Sequence, residues 1–219
     1  ESPYSNFSLY FDGNGDYILT GLAPASYTGF SISAWVYADS LGAFNVVASQ
    51  YRNGDPANSA WFLETIGSNM AFGIANGSSL AYATKAFSTG GWYHVVGVWN
   101  GSTAEVYIDG IASGSPVSIS GMNTGTVDMA IGALWDSGGT VVGGGPWNGK
   151  IDELSIFNKA LTQSEISQIY NNGYAADLTS LSPISWWRLG EDAYFVGNDI
   201  TIPNQISGAP NGTGAGTQT

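Results

Sequence analysis

The chain has 219 residues and a net charge of −12, from 17 acidic against 5 basic side chains, with 43% hydrophobic and 10% charged residues. That length and apolar share suit one folded all-β domain with a proper core and exclude a disordered chain. Five scattered cations neutralise too few phosphates for nucleic-acid binding, and they give an anionic membrane surface nothing to attract. No apolar run reaches membrane-spanning length, no leader peptide is read, and no cysteine is present for a disulfide framework. A chain opening on Glu1 reads as a processed or excised piece of something longer.

In chain order, Phe11 to Ile18 places a turn, Asp12-Gly13-Asn14-Gly15-Asp16, between β-formers. Ile32, Ala34 and Val36 alternate with Ser33, Trp35 and Tyr37, as in a strand with two different faces. Trp61–Thr65 and Met70–Ile74 form another pair of strand candidates. Trp92 to Trp99 runs into Asn100-Gly101, the strongest short hairpin signal, with Ala104 to Asp109 as the return strand. Met129 to Ala133 is a short apolar strand. The Gly-rich stretch from Trp135 to Trp147 reads as a rim loop.

Ile151 to Phe157 carries a strand signal, and a short helix follows over 162–171. Thr162 and Glu165 have the spacing of a capping box, with Leu161 and Ile166 as its staple. Ile166, Ile169 and Tyr170 give that helix one apolar face, which must lie on a larger β body. The expected division is a domain over 1–177 and an extension over 178–219: a linker, an aromatic strand around Trp186 and Trp187, and a Gly/Thr-rich tail. Two adjacent exposed tryptophans would be an unusual apolar patch, so they are expected to pack on the parent domain or on a neighbouring subunit.

The segment from Gly149 to Gly173, G-x-I-D-E-L-x-I-F-x-x-A-L-x-x-x-E-I-x-x-I-Y-x-x-G, resembles the closing part of laminin-G-like, concanavalin A-type jelly-roll domains. Phe11–Ile18, Phe30–Val36, Gly91–Val96 and Val106–Gly110 resemble the family's other landmarks, in the right order. The resemblance implies a two-sheet antiparallel jelly-roll sandwich. It leaves function open, because the fold hosts lectins, glycanases, adhesion modules and spacers. The stretch beginning I-S-W-W-R-L-G-E at Ile184 resembles a piece that follows jelly-roll modules in virion proteins of marine tailed phages.

Calcium requires roughly six to eight oxygen ligands. Asp12, Asn14 and Asp16 offer oxygens on a tight turn, and by the resemblance Asp152 is the carboxylate of the closing strand that completes a structural calcium site. The bland alternative is turn residues bonding their own backbone. For a sugar ligand, flat rings beside polar groups point to Trp135, Asp136 and Trp147 around the rim loop, with Arg52 and Asp55 on a second polar loop. Trp35, Trp92 and Trp99 lie inside strand patterns and are assigned to structure.

No E-x-D-x-x-E glycanase pattern, G-x-S-x-G elbow or phosphate loop occurs. Asp152 and Glu153 should point to opposite faces of a strand and so fail as an acid/base pair. His94, the lone histidine, reads as a sheet residue. The expected function is a non-catalytic recognition or decoration module, on a virion or outside the cell, binding a glycan or surface protein with calcium assistance. The rival is an assembly subunit or homo-oligomer whose Trp186 and Trp187 dock on neighbouring chains; a glycan-degrading enzyme is the weaker third.

Overall fold

The computed structural model describes residues 7–142, 145–197 and 199–215. Two antiparallel sheets pack face to face around the main core, as expected of a jelly-roll sandwich. The eight-stranded sheet runs Leu9–Asp12, Asn148–Phe157, Phe30–Ala38, Trp92–Trp99, Thr103–Ile108, Ile111–Ala112. Val117–Ser118 pairs with Thr103–Ile108, and Ser185–Trp187 with Asn148–Phe157. The nine-stranded sheet runs Tyr194–Val196, Asp199–Ile202, Gly212–Ala215, Tyr17–Leu19, Ala130–Ile131, Phe44–Gln50, Trp61–Ile66, Asn69–Ala75, Leu80–Ala86.

The period-2 pattern decides which side chains enter the core. Phe30, Ile32, Ala34 and Val36 face inward from one sheet, and Trp61, Leu63, Phe72 and Ile74 from the other. The Phe30 ring meets Trp61 at 5.0 Å and Phe72 at 6.3 Å. The central hairpin turns where Asn100 Oδ1 accepts the amides of Ser102 (3.0 Å) and Thr103 (2.9 Å). Gly101 beside it holds φ +95°, a conformation that penalises any Cβ.

The helix Gln163–Tyr170 starts on the capping box: Thr162 Oγ1 accepts from the Glu165 amide, and Glu165 returns a bond to the Thr162 amide. It ends on Asn171 in the left-handed region, one of the few non-glycine residues that accept it readily. Ile166 and Ile169 bury against Val96, Val98 and Phe157, so the helix covers part of the outer face of the eight-stranded sheet. Leu178, Leu181 and Trp186 complete this second, smaller core.

Residues 178–215, expected as an extension beyond the sandwich, supply strands to both sheets. Leu9–Asp12 pairs with the first half of Asn148–Phe157, and Ser185–Trp187 takes the second half of the same edge. The hairpin of Asp199–Ile202 and Gly212–Ala215 then adds to Tyr17–Leu19 in the other sheet. Trp186 and Trp187, expected to pack on the parent domain or at an interface with a neighbouring subunit, do the former: they are 8% and 0% exposed within this chain. Trp187 lies in the main core, so neither ring offers a neighbouring chain a docking surface.

Candidate functional site

A groove of about 430 Å³ lies on the outer face of the nine-stranded sheet, lined by Phe44, Tyr51, Asn53, Phe62, Glu64 and Tyr82 among others. Its floor follows from strand alternation. Along Trp61–Ile66, Trp61 and Leu63 enter the core, which turns Phe62, Glu64 and Ile66 outward. Phe62 pairs with Gly73, and Gly73 with Tyr82. Gly73 makes this row possible: a Cβ there would sit 2.3 Å from the Phe62 ring. With no side chain between them, the Phe62 and Tyr82 rings meet at 6.1 Å, and Tyr51 stands edge-on to Phe62 at 5.3 Å. Phe44 (51% exposed) and Tyr82 (43%) hold ring surface open to solvent.

Glu64 is the carboxylate on this floor, only 7% exposed, and burial pushes its pKa up to about 7. Near neutral pH it can therefore donate to a ligand hydroxyl or accept from one. Because its pKa is raised on folding, its contribution favours the folded state below pH 4.5 and is lost as pH rises through 7. Glu64→Gln is expected to flatten that alkaline loss of stability, read as the difference between melting temperatures at pH 5 and pH 8.

The rim residues expected to bind ligand mostly come together, but as the frame beside the groove. Arg52 bridges to Trp135 in a parallel pair, its guanidinium donates to the Ser137 carbonyl and to Thr126 Oγ1, and its Nε lies 3.7 Å from Asp55. Trp135 Nε1 donates to the Asp128 carbonyl (2.9 Å), and Asp136 accepts the Thr140 amide (2.8 Å), closing its own loop. Their chain neighbours Tyr51, Asn53 and Leu134 reach the groove instead. Trp147 is a correction: it is 1% exposed in the main core, with Phe87 at 6.5 Å, because its amide is drawn inward to the Gly132 carbonyl. The floor residues Phe44, Phe62, Glu64 and Tyr82 were missed. For Phe62 and Glu64 the signal is the strand W-F-L-E-T-I, with large side chains on both faces; Phe44 and Tyr82 lie on other strands and carry no such signal.

The four expected calcium ligands do not fit one ion. Asp12 accepts the Asn14 amide (2.7 Å) and Asp16 the Asp12 amide (3.1 Å), so both carboxylates serve the turn. Asp12 pairs with Asn148, four residues from Asp152. At about 3.4 Å per residue, Asp152 is ~14 Å away along the strand.

Asp152 instead joins Glu153. A register shift between Asp152 and Ser155, with Glu153 at φ 50°, inserts an extra residue and brings the two carboxylates to one side. The expectation of opposite faces fails at this bulge: carboxylate oxygens of Asp152, Glu153 and Glu191 lie within 4.8 Å of one another. Trp186 Nε1 (2.6 Å) and Arg188 Nε (3.0 Å) donate to Glu153, so this cluster ties down the C-terminal strand.

His94 is fully buried, its Nε2 2.7 Å from Ser33 Oγ, and its ring lies near Trp35 and Tyr170. Burial lowers its pKa to about 3 and holds it neutral.

The fold is shared with solved structures of low sequence identity. A protein of Bacteroides ovatus assigned as carbohydrate binding matches 97% of this chain with TM-score 0.73 and 19% identity. The chain spans 59% of that protein's length. A heptameric SAP-like pentraxin from Limulus polyphemus matches 80% of the chain and 86% of its own, with TM-score 0.59 and 17% identity. Domain 4 of an extracellular arabinanase from Geobacillus stearothermophilus, in complex with arabinotriose, matches 74% of the chain and 76% of its own, with TM-score 0.54 and 21% identity. No curated protein sequence matches the chain. The family profile described as the concanavalin A-like lectin/glucanases superfamily matches residues 12–167, and the chain belongs to that superfamily.

Proposed function

We propose that this chain is a non-catalytic glycan-recognition module that binds in the groove over Phe62, Glu64 and Tyr82, acting outside the cell or on a virion surface. One observation carries the reading: open ring faces converge on a single polar floor. Sugar rings present C–H faces to aromatic planes and hydroxyls to polar groups, and Phe44, Tyr82, Asn53 and Glu64 supply both. Hydrolysis of a glycosidic bond uses a pair of carboxyl groups flanking it, whereas Glu64 is the one carboxylate among the lining residues. The assignment of the Bacteroides protein and the arabinotriose complex of the arabinanase domain support a sugar ligand.

The test is a glycan array followed by calorimetry on the full chain. Tyr82→Ala removes a ring that is 43% exposed, so the fold should survive while affinity falls about tenfold or more. Unchanged affinity in a folded Tyr82→Ala variant would reject the groove as the site.

An assembly role is favoured by a different observation. Tyr194, Phe195 and Val196 form the outer strand of the nine-stranded sheet and are 49%, 65% and 61% exposed. Such an edge is a template for pairing with another chain. Concentration-dependent oligomers that a Phe195→Lys variant abolishes would favour this reading.

A further inference from the structure

The outer face of the eight-stranded sheet is divided in two. Under the helix, Trp35 and His94 lie against Tyr170, each with ring centroids 6.0 Å from it. Two residues further along the same strands, the next outward positions are Tyr37 and Trp92, which are cross-strand partners. Tyr37 also pairs with Lys150, and Lys150 with Tyr10. The flanking residues Leu9, Phe11, Val36, Ala38 and Ile151 pack on or in the main core, so alternation turns these four side chains outward together.

The result is a row, Tyr10, Lys150, Tyr37, Trp92, crossing four adjacent strands. At about 4.8 Å per strand it extends over ~14 Å. Tyr10 is 53% exposed and Trp92 41%, and Tyr37 meets Trp92 edge-on at 5.9 Å. Core packing does not account for two rings this exposed, one strand position beyond the helix.

Lys150 makes the row chemically specific. The other four cations are committed to oxygens: Arg52 to the Ser137 carbonyl, Lys85 to the Ala112 carbonyl, Lys159 to Glu165, and Arg188 to Glu153. Lys150 Nζ lies 5.6 Å from the Tyr37 ring centroid, and no acceptor oxygen among the described residues holds it. It can give its protons to hydroxyl oxygens of a ligand spread over the rings.

We propose that this row is a second carbohydrate-binding surface, for a neutral linear polysaccharide lying across the strands. Linearity follows from a straight row on a sheet face, over which a chain can run on at both ends. Neutrality follows from charge: Asp12 and Asp39 stand beside Tyr10, and the net charge of −12 repels a polyanion. The proposal takes from the groove reading only the class of ligand. The two surfaces lie on opposite outer faces of the sandwich, so binding at one can be abolished without touching the other.

The test compares the full chain with Tyr10→Ala/Trp92→Ala and with Tyr82→Ala. The probes are soluble xylan and mannan as neutral polymers, polygalacturonate as a charged one, and the short oligosaccharide that the array selects for the groove. Both row residues are largely exposed, so the double variant should melt within a few degrees of the parent. The expected result is a loss of about tenfold or more in affinity for a neutral polymer, with oligosaccharide binding unchanged. Acrylamide quenching should also show a tryptophan fraction protected by the polymer and missing in the double variant. Unchanged polymer affinity in the folded double variant overturns the proposal and leaves the groove reading intact. Tighter binding of polygalacturonate through the row overturns the ligand class. If Tyr82→Ala abolishes neither polymer nor oligosaccharide binding while the row variant does, the groove reading fails and the row stands.

Discussion

A chain ending at Gly173 is expected to lose its cooperative melt and to expose apolar surface, although it retains the whole family match. The cut removes Ser185–Trp187 from the eight-stranded sheet and both strands of the Asp199–Ile202/Gly212–Ala215 hairpin from the other. It also empties the main core of Trp187, Leu189, Ile200 and Ile202, each at most 5% exposed. The single substitution Trp187→Ala isolates part of the effect. A fully buried tryptophan cut to alanine costs about 3–5 kcal/mol, a large share of the 5–15 kcal/mol typical of a whole domain. Denaturant unfolding with unchanged slope and a much lower midpoint is the expected readout. A Gly173-ended chain that melts like the parent would show that these strands are accessory.

The second large effect is a pH-dependent loss on removing Arg188. Its guanidinium bonds Glu153, whose carboxylate is 4% exposed and shares its surroundings with Asp152 and Glu191. Desolvation outweighs Arg188 and Trp186 and pushes the Glu153 pKa from 4.5 up to about 7. A pKa raised on folding favours the native state below the unfolded value. That contribution disappears as pH climbs from 4.5 through 7. Arg188→Met removes the attraction that limits the shift, so the loss should extend to higher pH. The expected destabilisation is about 3 kcal/mol at pH 8, the scale for breaking a buried ion pair, and much less at pH 5, where Glu153 is protonated. Adding Glu153→Gln should restore most of the pH 8 loss, because the amide still accepts from Trp186 and carries no charge. Equal losses at both pH values would show that Arg188 acts through packing alone.

What could be read from the sequence was whatever the chain specifies locally. The hairpin at Asn100-Gly101, the capping box at Thr162 and Glu165, and the alternation from Ile32 to Tyr37 each lie within a few residues, and each appears where the pattern puts it. The groove was illegible because its floor is a cross-strand row. Phe62 and Tyr82 become neighbours only once Gly73 is paired between them, and no spacing along the chain reveals that register.

Trp147 misled for a related reason. A tryptophan in a glycine-rich stretch reads as rim, while its burial depends on a bond to Gly132 in another element. The Asp152/Glu153 prediction failed because strict alternation has no place for a bulge, and one inserted residue reverses the facing of all that follow. Ser185–Trp187 reads as an extension because the half-edge of Asn148–Phe157 that it fills is visible only in the folded sheet, and Gly212–Ala215 does so because its partner, Tyr17–Leu19, lies near the other end of the sequence.

That last pairing bears on how the protein comes into being. Tyr17–Leu19 waits for Gly212–Ala215 across roughly 195 residues of chain, one of the longest loops this sequence can close. During synthesis its early strands leave the ribosome well before the partners that complete both sheets. At about 5–20 residues per second, that interval is on the order of ten seconds or more. Slow refolding, an aggregation-prone half-made state and a need for chaperones during production all follow from where the final strands insert.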